Sequence, residues 1–125
     1  MRQVYYCTIF FFFICFFCAC GENKKVLFTL IPATETGIDF SNTITENDSI
    51  NVLDYEYVYN GSGVGVGDFN NDGLQDLYFS ANMVRNALYI NKGGMHFQDV
   101  TKPSGTGGEG KWCTGVAIVD INNDG

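Results

Sequence analysis

Gly63-Val64-Gly65-Val66-Gly67-Asp68-Phe69-Asn70-Asn71-Asp72-Gly73-Leu74-Gln75-Asp76 decides how this chain is read. Its first five residues alternate glycine with valine, the period of an extended strand whose two faces differ in bulk. The next nine spell D-x-N-x-D-G-x-x-D, a turn dense in carboxylate and amide oxygens. The same pattern returns 52 residues later: Gly115-Val116-Ala117-Ile118-Val119-Asp120-Ile121-Asn122-Asn123-Asp124-Gly125 again gives a strand followed by D-x-N-N-D-G. Self-similarity at a period near 50, with room for about four short strands per unit, is the arithmetic of a β-propeller blade.

The segments around this stretch read as short strands separated by turns. Val26 to Ile31 is an apolar run closed by Pro32, compatible with a buried strand. Ile38-Asp39-Phe40 reads as a brief extended piece, and 41–51 as polar loop. Leu53, Tyr55, Tyr57 and Tyr59 alternate with Asp54, Glu56 and Val58, which predicts a half-buried strand with an aromatic face. Further strands are predicted over Leu74–Ser80, Ala87–Ile90, His96–Val100 and Gly115–Ile121. The turn signals between them are Asn82, Asn91-Lys92-Gly93-Gly94 and the glycine-rich 104–110. No long helical periodicity is present, so the class is all-β.

The loop at 68–76 carries the chemistry. Calcium takes six to eight oxygens, and alternate positions of a tight loop can offer them. Asp68, Asn70 and Asp72 would supply side-chain oxygens, Leu74 its backbone carbonyl and Asp76 a closing carboxylate. Gly73 stands where the chain must turn sharply. An EF-hand is excluded, because its twelfth position falls on Phe79 instead of glutamate and its flanks are strands instead of helices. A dockerin-like helical pair is excluded with it. Magnesium suits the loop less, since it retains its waters and takes fewer protein ligands.

With these motifs in view, residues 60–101 resemble an FG-GAP/VCBS repeat of the kind found in integrin-α-like propellers and bacterial surface lipoproteins. The G-V-G-V-G-D-F-N-N-D-G-L-Q-D-L-Y-F core and the later N-A-L-Y-I-N-K-G and F-Q-D-V-T runs carry the resemblance, and 112–125 form a second, partial match. It implies an all-β blade of an incomplete propeller, with calcium bound between the first two strands. The ligands it implies are Asp68, Asn70, Asp72, Leu74 and Asp76, then Asp120, Asn122 and Asp124 in the second copy.

The N-terminus is of another kind. Val4 to Ala19 is an apolar run of 16 residues, preceded by the single charge Arg2. As a helix it would reach about 24 Å, short of the ~30 Å hydrocarbon core of a bilayer, so a secretory signal is the better reading. Phe17-Cys18-Ala19-Cys20-Gly21 resembles the cleavage site of a bacterial lipoprotein, which implies lipidation at Cys20; an ordinary cleaved signal with an incidental cysteine is the alternative. Of the five cysteines, Cys7, Cys15 and Cys18 would leave with the signal and Cys20 would carry lipid. That leaves Cys113 with no internal disulfide partner. The expected organisation is a signal over 1–19, a tether over 20–25, N-terminal strands over 26–59, the first repeat over 60–111 and the truncated start of a second over 112–125. The halt in mid-motif at Gly125 reads as the N-terminal fragment of a longer protein.

Composition narrows the function. The 125 residues hold 14 Asp and Glu against 7 Lys and Arg, a formal net charge of −7. A chain so acidic, without a basic cluster, is unsuited to nucleic acid and suited to cationic partners, a divalent metal first. Fifteen glycines favour tight turns over long helices. His96 is the only histidine, and nothing places a third group beside a Cys113–His96 pair. Gly63, Gly65 and Gly67 precede no helix and no Lys-Ser/Thr pair, so they are read as permitting close approach of neighbouring strands and not as a nucleotide loop. Trp112 and Tyr55, Tyr57 and Tyr59 are read as core aromatics before a sugar-stacking surface. The function expected is a calcium-binding repeat module of a membrane-anchored extracytoplasmic lipoprotein that binds protein or glycan, and not an enzyme. The alternative is the non-catalytic part of a larger surface enzyme acting on polysaccharide.

Overall fold

The computed structural model describes residues 26–121. Residues 26–30 belong to a separate N-terminal unit, and the remainder from Ile31 onward forms one compact unit. The predicted strand at Val26–Ile31 does not form. These residues have no regular structure, and Leu27, Phe28 and Leu30 are 85%, 89% and 94% exposed. Apolar content alone does not make a strand; a ladder partner is needed to satisfy its amides, and among the described residues none pairs with this run.

The compact unit is built on a four-stranded antiparallel meander: β1 (Val64–Gly67), β2 (Asp76–Phe79), β3 (Ala87–Asn91) and β4 (Phe97–Asp99), paired in that order. The register sets Val66 opposite Leu77, Leu77 opposite Tyr89 and Tyr89 opposite Asp99. The sheet is an open, all-β one of the blade type. Two single helical turns flank it, α1 (Ala33–Thr36) and α2 (Thr101–Ser104). Each ends on a glycine in the left-handed region, Gly37 and Gly105, where a side chain would be strained. The predicted turns hold as well: Lys92 N–H donates to the His96 carbonyl at 2.7 Å and Gly93 N–H to Asn91 Oδ1 at 2.8 Å.

The core is small and centred on β3, whose Ala87, Leu88, Tyr89 and Ile90 are all buried, joined by Val58 and Ala81. A central strand covered on both faces reads as a continuous apolar run, as this one does. Phe40, from the predicted extended piece, stacks on Phe79 at 4.9 Å, and Phe79 meets Tyr89 edge-on at 5.7 Å.

Two further expectations are corrected. Residues 53–59 form successive turns, not a strand, with Leu53, Tyr57 and Tyr59 largely exposed and Val58, of the opposite parity, fully buried. Asparagine side chains explain this. Asn47 Oδ1 accepts from the Ser49 and Ile50 amides, and Asn51 Oδ1 from those of Leu53 and Asp54. Such local bonds compete with a ladder and favour turns. Tyr55 then packs on the half-buried Trp112 at 5.7 Å and on the exposed Tyr57 at 6.2 Å, in an aromatic cluster instead of a strand face.

The second correction concerns Gly115–Ile121, which joins no strand ladder. It lies instead against the glycine side of β1. A Cβ at Gly63 would fall 2.7 Å from the Val116 amide nitrogen, one at Gly65 would fall 2.6 Å from Val116 Cγ1 and 2.7 Å from Ile118 Cδ1, and one at Gly67 3.1 Å from Ile118 Cγ2. The absence of side chains at 63, 65 and 67 therefore makes the seat for the opening of the second repeat, the close approach expected of these glycines.

Candidate metal-binding loop

The loop joining β1 to β2 turns on two residues in the left-handed region, Asn71 at φ 61° and Gly73 at φ 83°. Its carboxylates face their own backbone. Asp68 Oδ2 accepts from Gly73 N–H at 2.7 Å, and Asp68 Oδ1 from Asn70 and Asp72 N–H at 3.3 and 3.2 Å. Asp72 Oδ1 accepts from Leu74 N–H at 2.9 Å, while Asp72 Oδ2 receives the Asn70 side-chain amide at 2.8 Å. These donors, the Gly73 amide foremost, hold the Asp68 carboxyl below the usual carboxylate range.

Asp76 behaves differently. It is fully buried at the start of β2, with Oδ2 accepting from Phe69 N–H at 2.8 Å and Oδ1 from Asn91 N–H at 2.7 Å. It thereby ties the loop's entry to the end of β3. The sequence marks Asp76 as the closing carboxylate of the loop but not as this brace, because Asn91 is brought to it only by the pairing of β2 with β3.

Asp68, Asn70 and Asp72 are thus brought together in one tight turn, with Leu74 following and Asp76 at its base. The donor set is all hard oxygen, the chemistry calcium requires. Among the described residues, however, no three carboxylate, imidazole or thiolate groups are gathered into a cluster that could hold a metal. Of the second copy, Asp120 lies in an exposed stretch; Asn122 and Asp124 lie outside the described residues, as does Cys20 with the whole predicted signal and tether.

A buried amide network had no sequence signal. Asn82 donates to the Gly61 and Cys113 carbonyls, at 3.2 and 2.9 Å, and exchanges bonds with Asn42. Asn86 accepts from Ala81 N–H at 2.8 Å and donates to Tyr78 Oη at 3.0 Å, and that hydroxyl donates to the Thr106 carbonyl. Ser62 Oγ also donates to the Cys113 carbonyl at 2.8 Å. Together these side chains anchor residues 106–113, the lead into the second repeat, to the first. Cys113 itself is half-buried and its thiol lies 3.6 Å from Asn86 Nδ2; His96 is exposed in the β3–β4 turn. Among the described residues no contact joins the two.

Comparison with known families agrees with this geometry. Residues 68–125 match the family model of the FG-GAP-like repeat. The matched span opens at Asp68, the first oxygen donor of the loop, runs through β2, β3 and β4, and takes in the second D-x-N-N-D-G. FG-GAP repeats are structural, non-catalytic units, and the open four-stranded antiparallel sheet is what an incomplete FG-GAP blade looks like. Neither the comparison with curated proteins nor that with solved structures returned a match.

Proposed function

We propose that this chain is a calcium-binding FG-GAP repeat module of a β-propeller, carried by a lipoprotein anchored to a membrane through Cys20 on the extracytoplasmic side, and that it binds a protein or glycan partner instead of catalysing a reaction. The single observation that carries the reading is the turn between β1 and β2, which collects Asp68, Asn70 and Asp72 within a family-matched repeat. Asp68, Asn70, Asp72, Leu74 and Asp76 would hold the ion, with Asp120, Asn122 and Asp124 its counterparts in the second copy. Bound calcium would neutralise carboxylates that otherwise repel, so its binding free energy would become folding free energy.

Propeller assembly is supported by the seat on β1. Val116 and Ile118, which correspond to Val64 and Val66 in the repeat, pack on the glycines of the first copy, while Val64 and Val66 themselves are 58% and 55% exposed. Stacking of each repeat on the next is how such architectures bury their faces. Glycan as the partner is favoured by Tyr55 and Tyr57, exposed beside the half-buried Trp112, which equally suits a non-catalytic part of a polysaccharide-active enzyme. Among the described residues no helix is long and apolar enough to cross a membrane, and anchoring is assigned to Cys20 from the sequence.

Calorimetry tests the metal reading. Calcium should bind saturably and raise the melting temperature, and Asp72→Ala should abolish both effects; a variant that binds like the parent removes the loop assignment. Cys20→Ser should release the protein from the membrane fraction, and unchanged fractionation removes the anchor.

A further inference from the structure

Asn60-Gly61 is the only Asn-Gly step in the chain, and it stands just ahead of β1. Asn60 is exposed, and its side chain makes no hydrogen bond among the described residues. Gly61 sits in the left-handed region at φ 78°, and nothing lies within 4 Å of the place a Cβ would take. Its N–H meets no acceptor among the described residues. Anchors flank the step closely on both sides. Val58 is fully buried, and Asn60 N–H donates to the Tyr57 carbonyl at 3.1 Å. Beyond it, the Gly61 carbonyl accepts from Asn82 Nδ2 at 3.2 Å, Ser62 Oγ donates to the Cys113 carbonyl at 2.8 Å, and Gly63 N–H donates to Ser80 Oγ at 2.8 Å. Comparable steps in the 68–76 loop are closed. Gly73 N–H, after Asp72, is held by Asp68 Oδ2 at 2.7 Å, and Asp72 N–H, after Asn71, by Asp68 Oδ1 at 3.2 Å.

We propose that Asn60 is a site of spontaneous deamidation, and that the isoaspartate formed there loosens the second repeat from the first. The Gly61 nitrogen, losing its proton to water, attacks Asn60 Cγ. The new N–C bond closes a succinimide ring, and the side-chain nitrogen takes up a proton and leaves as ammonia. Water then opens the ring. Cleavage at Cγ leaves aspartate, while cleavage at the main-chain carbonyl leaves isoaspartate, whose chain runs through Cβ and Cγ. The net change is amide plus water to carboxylic acid plus ammonia, with nothing oxidised or reduced. Attack needs an amide nitrogen free of an acceptor and a following residue whose backbone can swing into the ring, which glycine supplies. Isoaspartate lengthens the main chain by one carbon and adds a negative charge between Val58 and Ser62, which are both anchored. The added length is taken up where Gly61 and Ser62 reach Asn82 and Cys113, the bonds that hold the lead into the second repeat.

The full chain is incubated at mildly alkaline pH, folded and in urea, and followed by peptide mass spectrometry with an isoaspartyl methyltransferase assay. Asn60 should convert ahead of every other asparagine. Its rate in the folded chain should lie within about tenfold of that in urea, because a segment that opens at near-zero free energy gains little protection. Asp72-Gly73 should stay normally linked in the folded chain, and Asn60→Gln, whose larger ring closes poorly, should remove the conversion. The aged protein should melt below Asn60→Asp, which carries the charge without the added carbon. Its Cys113 amide, bonded to the Ala81 carbonyl at 2.9 Å, should exchange faster with solvent. A folded rate more than about tenfold below that in urea, isoaspartate at Asp72 ahead of Asn60, or conversion undiminished in Asn60→Gln would overturn the proposal. So would aged protein that matches Asn60→Asp in melting point and in Cys113 exchange.

Discussion

Gly63 and Gly115 hold the same position in the two copies of the repeat, yet the structure assigns them opposite responses to a methyl group. A Cβ at Gly63 would stand 2.7 Å from the Val116 nitrogen and 3.0 Å from both Gly115 C and Cα. All three are backbone atoms, unable to swing aside as a side-chain tip would. The segment they belong to is pinned just upstream, where Cys113 N–H donates to the Ala81 carbonyl at 2.9 Å and the Cys113 carbonyl accepts from Ser62 and Asn82. Overpacking of this sort costs about 1–3 kcal/mol, offset in part by the ~0.4–1 kcal/mol that replacing glycine with alanine returns through the unfolded chain. Gly63→Ala should therefore lose about 1–2 kcal/mol. At Gly115 nothing lies within 4 Å of the added atom and the backbone is outside the left-handed region. There Gly115→Ala should be neutral or gain ~0.4–1 kcal/mol. Urea and thermal unfolding, followed through Trp112 fluorescence and circular dichroism, measure the contrast; for a domain of this size each 1 kcal/mol moves the melting point by about 4–8 °C. Equal melting points for the two variants would refute the account of β1 as a seat for the second repeat.

Asp76→Ala should cost about 2–4 kcal/mol, because the amides of Phe69 and Asn91 both lose a buried acceptor; Asp76→Asn, which keeps one oxygen, should cost less. The loss should persist when unfolding is measured in excess chelator, and a loss that vanishes there would mean Asp76 acts through metal alone. Stability should also fall on acidification. Asp68 is held below its ordinary value chiefly by the Gly73 amide. At Asp99 burial pushes the other way, but the Thr101 bonds and Arg85 outweigh it and the net direction is again downward. A carboxylate lowered in the folded state contributes stability that is present above the unfolded value of 3.8 and lost as pH falls through the folded one. Unfolding free energies measured between pH 6 and pH 2 (about neutral to acid) should decline below about pH 4, and Asp99→Asn should flatten part of that decline.

Local order was legible wherever the chain's immediate neighbours decide the conformation. The four strands of the meander, the Asn91–Gly94 turn and the loop at 68–76 are written in alternation, turn residues and carboxylate spacing, and all stand in the structure close to their expected bounds. The stretch at 53–59 misleads for a local reason too: its period of two is real, but Asn51 Oδ1 draws the Leu53 and Asp54 amides into a turn at its start.

The amino-acid sequence by itself determined the all-β class, the repeat at 63 and 115, the acidic character and the oxygen-rich turn, since each depends on residue type and spacing along one segment. Tertiary structure alone decided that Asp76 is a buried brace, that Asn82 and Asn86 stitch 106–113 to the first repeat, that 115–118 rests on bare glycine without joining a ladder, and that Asp39 and Asp99 share a cleft with Arg85. Those outcomes join residues far apart along the chain. Their partners are selected by which surfaces fit once the sheet exists, and no spacing within a single segment encodes that.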